Sequence, residues 1–240
     1  MIDNPERRNA MTAAMYLAIP DAVTTLVDEP DLRCVILKGA GDLAFSAGSD
    51  ISEFADRRMG RRATEYDNAE HRAWEAIASI AVPVIAAIHG PCRGGGVAIA
   101  LHADLRIAAD DATFSVPPAT LGIAYPSQAT ERLMALVGPA VAKQMLYTAQ
   151  VLDAREALRV GLVQETHPPQ RLDEHVASIA RRIARLAPLS IKAAKQTIDT
   201  IVTKGHADAH DAVDACYHSE DFAEGVLAFM EKRRPHFHGY

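Results

Sequence analysis

The chain has 240 residues, 49% of them apolar and 23% charged, with a formal net charge of −6. That length suits one globular domain, or one domain with a helical appendage, and no basic excess points to nucleic acid. Cys34, Cys92 and Cys216 lack metal-ligand spacing, and their odd number argues against a disulfide framework and for a reducing, cytoplasmic setting; no apolar run reaches the roughly 20 residues of a membrane helix.

In chain order, Thr12 caps a predicted helix running to residue 27, and Pro20 inside it should kink or split it. Residues 32–38 read as a buried strand, followed by turn chemistry at 39–42. Phe45-Ser46-Ala47-Gly48-Ser49-Asp50-Ile51 then combines a turn of small residues with a capping candidate. Arg57, Arg58, Arg61 and Arg62 form the one local basic cluster, expected to be a solvated helix face, or else a surface facing coenzyme phosphates. Over 63–80 the apolar spacing is helical, with Tyr66, Ala69, Ala73, Trp74 and Ile77 on one face.

Residues 84–88 make a strand, and 96–101 a helix. Between them stand Gly90 and the triplet Gly94-Gly95-Gly96. A strand, a glycine turn and a helix N-terminus form a site for negative charge, because glycine lets the backbone approach a ligand and the first N–H groups of a helix have no internal partner. The spacing matches neither the dinucleotide fingerprint nor a P-loop. Residues 105–108 and 113–115 read as short strands. Beyond Gln128 the pattern turns helical: 129–137, 140–147 after Gly138-Pro139, a short helix capped by Asp153, a last strand at 162–166, then helices at 171–186, 189–203, 206–218 and 221–232. Strands interleaved with helices, then helices alone, give an α/β core over 1–187 and a helical region over 188–240 of the same domain.

Asn4-Pro5-Glu6-Arg7-Arg8-Asn9-Ala10-Met11, the Ala47-Gly48-Ser49 turn, the glycine triplet, Phe114-Ser115-Val116-Pro117, Ala154-Arg155-Glu156-Ala157 and the run from Ser219 to Pro235 occur in one order. In these segments the chain resembles the enoyl-CoA hydratase/isomerase (crotonase) superfamily. The resemblance implies a spiral of ββα turns whose C-terminal helices pack a trimer or dimer of trimers. The opening motif stands almost at Met1, where the family has a β-hairpin before it, so a sheet one or two strands shorter is expected. It further implies an acyl-CoA substrate, with coenzyme A arriving as part of that substrate and no separate cofactor. The backbone N–H groups of Ser49 and Gly95 would hold the thioester oxygen. The coenzyme would run along Arg7, Asn9, Ala10, Ala47, Asp50, Ile51 and Ser52, with Phe229 and Lys232 contributing from the same or a neighbouring subunit.

The two glutamates with which the family's hydratases activate water fall at Ala98 and Pro118, neither of which carries a proton. Decarboxylase- or isomerase-like chemistry is therefore favoured over standard hydration. Tyr125, in Gly122-Ile123-Ala124-Tyr125, resembles a tyrosine placed near the acyl group in the family's malonyl-type decarboxylases, and it reads either as functional or as a packed loop residue. Two alternatives stay open: a weak hydratase using His71, Glu75 or Tyr125, and a non-catalytic acyl-CoA-binding protein. His71 and Glu75 share a helix face, with an exposed pair expected. Glu131 with Arg132 is expected as a structural ion pair, His89 as a satisfied structural histidine and Asp104 as a structural acid. No histidine pair has a third ligand at sensible spacing, so no metal site is expected.

Overall fold

The computed structural model describes residues 1–58, 62–202 and 215–240 in full, and the backbone of 203–204. The predicted helix over 206–218 lies mostly outside the described residues. Numbered along the chain, the strands are β1 (Val35–Lys38), β2 (Val84–Ile88), β3 (Pro91–Arg93), β4 (Leu105–Ala109), β5 (Thr113–Ser115), β6 (Leu152–Asp153) and β7 (Glu165–His167). The α-helices are α1 (Ala13–Val27), α2 (Phe54–Arg57), α3 (Arg62–Ala78), α4 (Gly95–Leu101), α5 (Ser127–Thr148), α6 (Ala154–Arg159), α7 (Pro169–Ile183), α8 (Pro188–Lys204) and α9 (Glu220–Met230).

β1, β2, β4 and β7 form a parallel sheet in the order β1-β2-β4-β7, while β3, β5 and β6 form a second sheet. The chain therefore lays one strand in each sheet and then a helix: β2, β3, α4, and next β4, β5, α5. An isolated parallel bridge between Ser46 and Cys92 extends the second sheet back to the turn after β1. This is the α/β spiral of ββα turns, with helices following it.

Strand periodicity divides the core. Val84, Ala86 and Ile88 of β2 point into the main cluster with Trp74, Val97 and Phe114, whereas Ile85 and Ala87 join Ile107 and Ala109 against Leu172 and Val176 of α7. β2 is buried on both faces, as expected of a central parallel strand covered by helices.

The predicted helix start at Thr12 is present, its side chain accepting the Met15 N–H. The expected split at Pro20 is absent: α1 runs through it, because a proline removes one N–H and strains one turn but does not forbid the helix that packing on α3 supports. Gly138 (φ 76°, ψ 162°) interrupts α5 where the glycine–proline pair predicted two helices. The strand expected at 162–166 is shifted, with β7 at Glu165–His167 and Leu162 and Val163 buried in the main cluster. β3 and β6, three and two residues long, show too little period to be read from sequence.

Candidate active site

The opening motif is strapped beneath the first turn. Asn9, in a left-handed conformation (φ 58°), is buried and donates its side-chain amide to Ala40 O (3.0 Å) and Ala44 O (2.7 Å), while its Oδ1 accepts the Asn4 N–H at 3.0 Å. Ala47 N donates to Arg8 O, Met11 N to Gly48 O and Asp50 N to Met11 O. These bonds fix 47–50 as a rigid turn, and Gly48 is needed in it: its φ is +94°, and a Cβ there would stand 2.8 Å from Arg93 O.

The turn faces the start of α4. A Cβ placed on Gly95 would lie 3.2 Å from Ser49 N, and one on Gly48 would lie 3.5 Å from Gly95 N, so the two amides are neighbours. Neither Ser49 N nor Gly95 N donates to a backbone carbonyl among the described residues. The intervening amides are committed, since Gly94 N donates to Ser115 O and Asp50 N to Met11 O. Two unspent N–H donors side by side, one at a helix N-terminus, can together bind an oxygen that carries negative charge.

They open on a cleft of about 560 Å³, lined among others by Ala47, Ile51, Phe54, Arg58, Glu70, Trp74, Pro118, Leu121 and Tyr125. Tyr125 is half-buried, donates its hydroxyl to Gly94 O at 3.2 Å, and has its pKa held well above the usual tyrosine value by burial. It is therefore a protonated hydrogen-bond donor at the rim of the two-amide site, not a base. Ala98, on α4, is fully buried. With Ala98 and Pro118 lacking an acid, the cleft still holds one that the sequence reading did not single out, because Glu70 lines it. The expectation that Arg58 is solvated fails. Its side chain is 12% exposed, donates to Glu70 Oε2 at 3.0 Å and Asp67 Oδ1 at 2.9 Å, and lies over the rings of Phe54 and Tyr66.

The sequence model of the enoyl-CoA hydratase/isomerase family matches residues 1–240. The chain belongs to the enoyl-CoA hydratase/isomerase family. It is 38% identical over 240 residues to crotonyl-CoA hydratase of Syntrophomonas wolfei, covering 98% of this chain and 92% of that one. It is 35% identical over 247 residues to carnitinyl-CoA dehydratase of Salmonella arizonae, covering 100% of this chain and 94% of that one. Among solved structures, an enoyl-CoA hydratase/carnithine racemase from Magnetospirillum magneticum superposes with a TM-score of 0.93 at 33% identity, covering 99% of this chain and 90% of that one.

Around the two amides of this family member, Arg7, Asp50 and Ser52 form one cluster. Arg7 donates to Asp50 Oδ2 (2.6 Å) and Ser52 Oγ (2.9 Å), and Ser52 donates to Asp50 Oδ1 (2.7 Å). The Ser52 and Arg7 bonds hold the Asp50 carboxyl below its usual pKa. Ile51 beside it is exposed and lines the cleft; Ala10 is buried, and the Asn9 side chain is spent on backbone. Phe229 and Lys232 stand apart in this single chain. Phe229, 86% exposed, lines a separate groove with Phe222, Val226 and Phe237.

Four further expectations need correction. His71 is half-buried against Trp74, with its Nε2 unpartnered, instead of sharing an exposed pair with Glu75. His89 is not fully satisfied: its Nε2 is buried without a partner. Glu131 and Arg132 form no ion pair among the described residues, since adjacent helical side chains diverge by about 100°. A third ligand does exist near a histidine pair: His167 and His175 both place Nε2 on Glu165 Oε2, at 2.9 and 2.6 Å, away from the cleft. Its members come from β7 and α7, so sequence spacing hid it. Asp104 is structural as expected, accepting Val84 N and Lys195 Nζ at 2.7 Å each.

Proposed function

We propose that the protein binds an acyl-CoA thioester with its carbonyl oxygen between Ser49 N–H and Gly95 N–H and stabilises the enolate formed from it. The observation that carries this reading is the pair of adjacent, unspent amides over an apolar-walled cleft. Charge grows on the oxygen in the transition state, and donors already in place stabilise it without reorganising; each is typically worth ~3–4 kcal/mol. The coenzyme lies along Arg7 to Ala10, Ala47 and Asp50 to Ser52, where the Arg7 guanidinium offers charge to phosphate. Phe229 and Lys232 reach it from a neighbouring subunit of a trimer, a reading supported by neither residue lining the cleft of its own chain.

The chemistry at this carbon is decarboxylase- or isomerase-like rather than standard hydration. Ala98 and Pro118 carry no proton, and a water addition needs a base and an acid placed on it; such groups contribute roughly 10²–10⁴-fold. Loss of carbon dioxide from a malonyl-type thioester, whose carboxylate stands on the α-carbon, leaves the C–C electron pair in the enolate, which is then protonated. Tyr125, held protonated beside Gly94, orients the acyl group. Its similarity to a crotonyl-CoA hydratase favours a second reading, a weak hydratase. Incubation of the pure protein with methylmalonyl-CoA, ethylmalonyl-CoA, a 3-enoyl-CoA and crotonyl-CoA separates these readings by product chromatography. Decarboxylation or double-bond migration is expected. Rapid hydration of crotonyl-CoA with neither would overturn the preference, and absence of thioester binding would overturn the acyl-CoA reading itself.

A further inference from the structure

One acid in the cleft has no part in the scheme above. Glu70 lies on the inner face of α3, 2% exposed, and lines the same cleft as Ser49, Gly95 and Tyr125. Its Oε1 accepts the Ser49 hydroxyl at 2.7 Å, and its Oε2 accepts Arg58 Nη2 at 3.0 Å. Ser49 Oγ also lies 3.0 Å from the Tyr16 hydroxyl. Ser49 thus does two things. Its N–H is half of the two-amide site, and its side chain, which that role does not require, ties a carboxylate to the edge of the site.

We infer that Glu70 is the proton carrier of this active site, taking the α-proton of the bound thioester and returning it to the carbon skeleton. The inference rests on the acyl-CoA reading and deepens it. The carboxylate accepts the α-proton, and the C–H electron pair moves into the enolate whose oxygen is held by the two amides. Protonated Glu70 then gives the same proton to the γ-carbon of a 3-enoyl thioester, moving the double bond into conjugation. With a saturated thioester the Glu70 carboxyl trades its proton for one from solvent and returns that to the α-carbon. No other reactant is consumed.

The surroundings suit a group that must hold both states. Burial raises the Glu70 pKa above the usual glutamate value, Arg58 and the Ser49 hydroxyl oppose that rise, and Asp67 adds to it. Arg58 is shared with Asp67 at 2.9 Å, so it keeps a charged partner when Glu70 is neutral. A carboxylate there only to anchor Arg58 would need neither the cleft-facing position nor the serine.

The test is α-proton exchange of butyryl-CoA in D2O, followed by mass spectrometry, with binding measured separately by calorimetry on the same full-length samples. Wild type is expected to bind and exchange. Glu70→Gln is expected to bind within threefold of wild type and to lose at least 100-fold in exchange rate. Ser49→Ala, which keeps the amide, is expected to lose roughly tenfold. If Glu70→Gln does not fold, Glu70→Asp answers: it keeps the charge on Arg58, withdraws the carboxylate by one methylene, and is expected to slow exchange at least tenfold. Binding without exchange in wild type overturns the role of Glu70 and leaves the acyl-CoA reading standing. So does exchange in Glu70→Gln within threefold of wild type, or in Glu70→Asp within twofold. No binding in wild type overturns both.

Discussion

A Cβ added to Gly95 would run into the Tyr16 hydroxyl and stand 2.7 Å from Ser49 Oγ. Ser49 Oγ holds Glu70 and the Tyr16 hydroxyl holds Ser49 Oγ, so the methyl of Gly95→Ala must push the network aside or fill the space of the thioester oxygen. Loss of one such donor typically costs 10²–10³-fold in turnover. Gly95→Ala is expected to lose at least that factor in kcat, with far-UV circular dichroism checking that the fold survives the contact; a folded variant with wild-type turnover would show that the oxygen sits elsewhere. The glycine turns were legible in the sequence because their requirements are local, a glycine at positive φ and a helix start after a glycine turn, whereas the pairing of the two amides came only from the resemblance. Glu70 was legible only as a break in a pattern. It sits four residues after Tyr66 and four before Trp74, inside the apolar stripe of α3, where a charge should not be. Arg58 left no such trace, because α3 and not its own neighbours decides which way it turns.

The same division holds for whole elements. Helices α1, α3 and α6 were readable because Thr12 and Asp153 cap two of them and an apolar face of fixed period marks the third. β3 and β6 exist only because strands distant in sequence lie beside them. The tail after α9 is likewise a product of contacts. Glu224 accepts Arg233 Nη1 (2.6 Å) and Nη2 (2.8 Å) together with His236 N (2.9 Å), and Asp221 accepts His238 N and Gly239 N. The Arg233 bonds, then the His236 N–H, draw the Glu224 pKa down to about 2. A lowered carboxylate pKa means that the clamp is intact above the unfolded value near 4.5 and weakens as pH falls towards 2. Glu224→Gln is therefore expected to speed amide hydrogen exchange at residues 233–239 at neutral pH, with α1 and β2 unchanged. Unaltered exchange in the tail would show that the clamp does not hold it.

At the scale of the molecule, His102 couples stability to pH. It is 2% exposed, stacks on Trp74, and donates its Nδ1–H to Ala98 O at 2.7 Å. Burial pulls its pKa from 6.5 down to about 4. The unfolded chain binds a proton below 6.5 that the folded chain refuses until about 4, so stability is full above 6.5 and falls between these values, by about 3 kcal/mol. Thermal melts of wild type should drop across that window more than those of His102→Gln; parallel pH profiles would remove His102 as the cause.

The helices beyond the spiral raise a different question, because α8 and α9 expose Ile198, Ile201, Phe222, Val226, Leu227, Phe229 and Met230. Leu189 and Ala193 of α8 line one groove with Phe222, Val226 and Phe229 of α9, so the apolar residues of the two helices share a surface. A lone chain seldom leaves that much apolar area in water. In the proposed trimer that covers it, Phe229 lies within the covered surface, so losing the trimer and losing the neighbour's contribution to the cleft would go together. Light scattering after size exclusion is expected to give about three times the 25.9 kDa chain mass, or twice that trimer. Val226→Asp combined with Phe229→Asp should shift the protein to monomer and weaken acyl-CoA binding together. Wild type eluting as a monomer at tens of micromolar would sink the shared-site arrangement. A monomeric double variant that still binds acyl-CoA with wild-type affinity would leave the trimer in place and confine the active site to one chain.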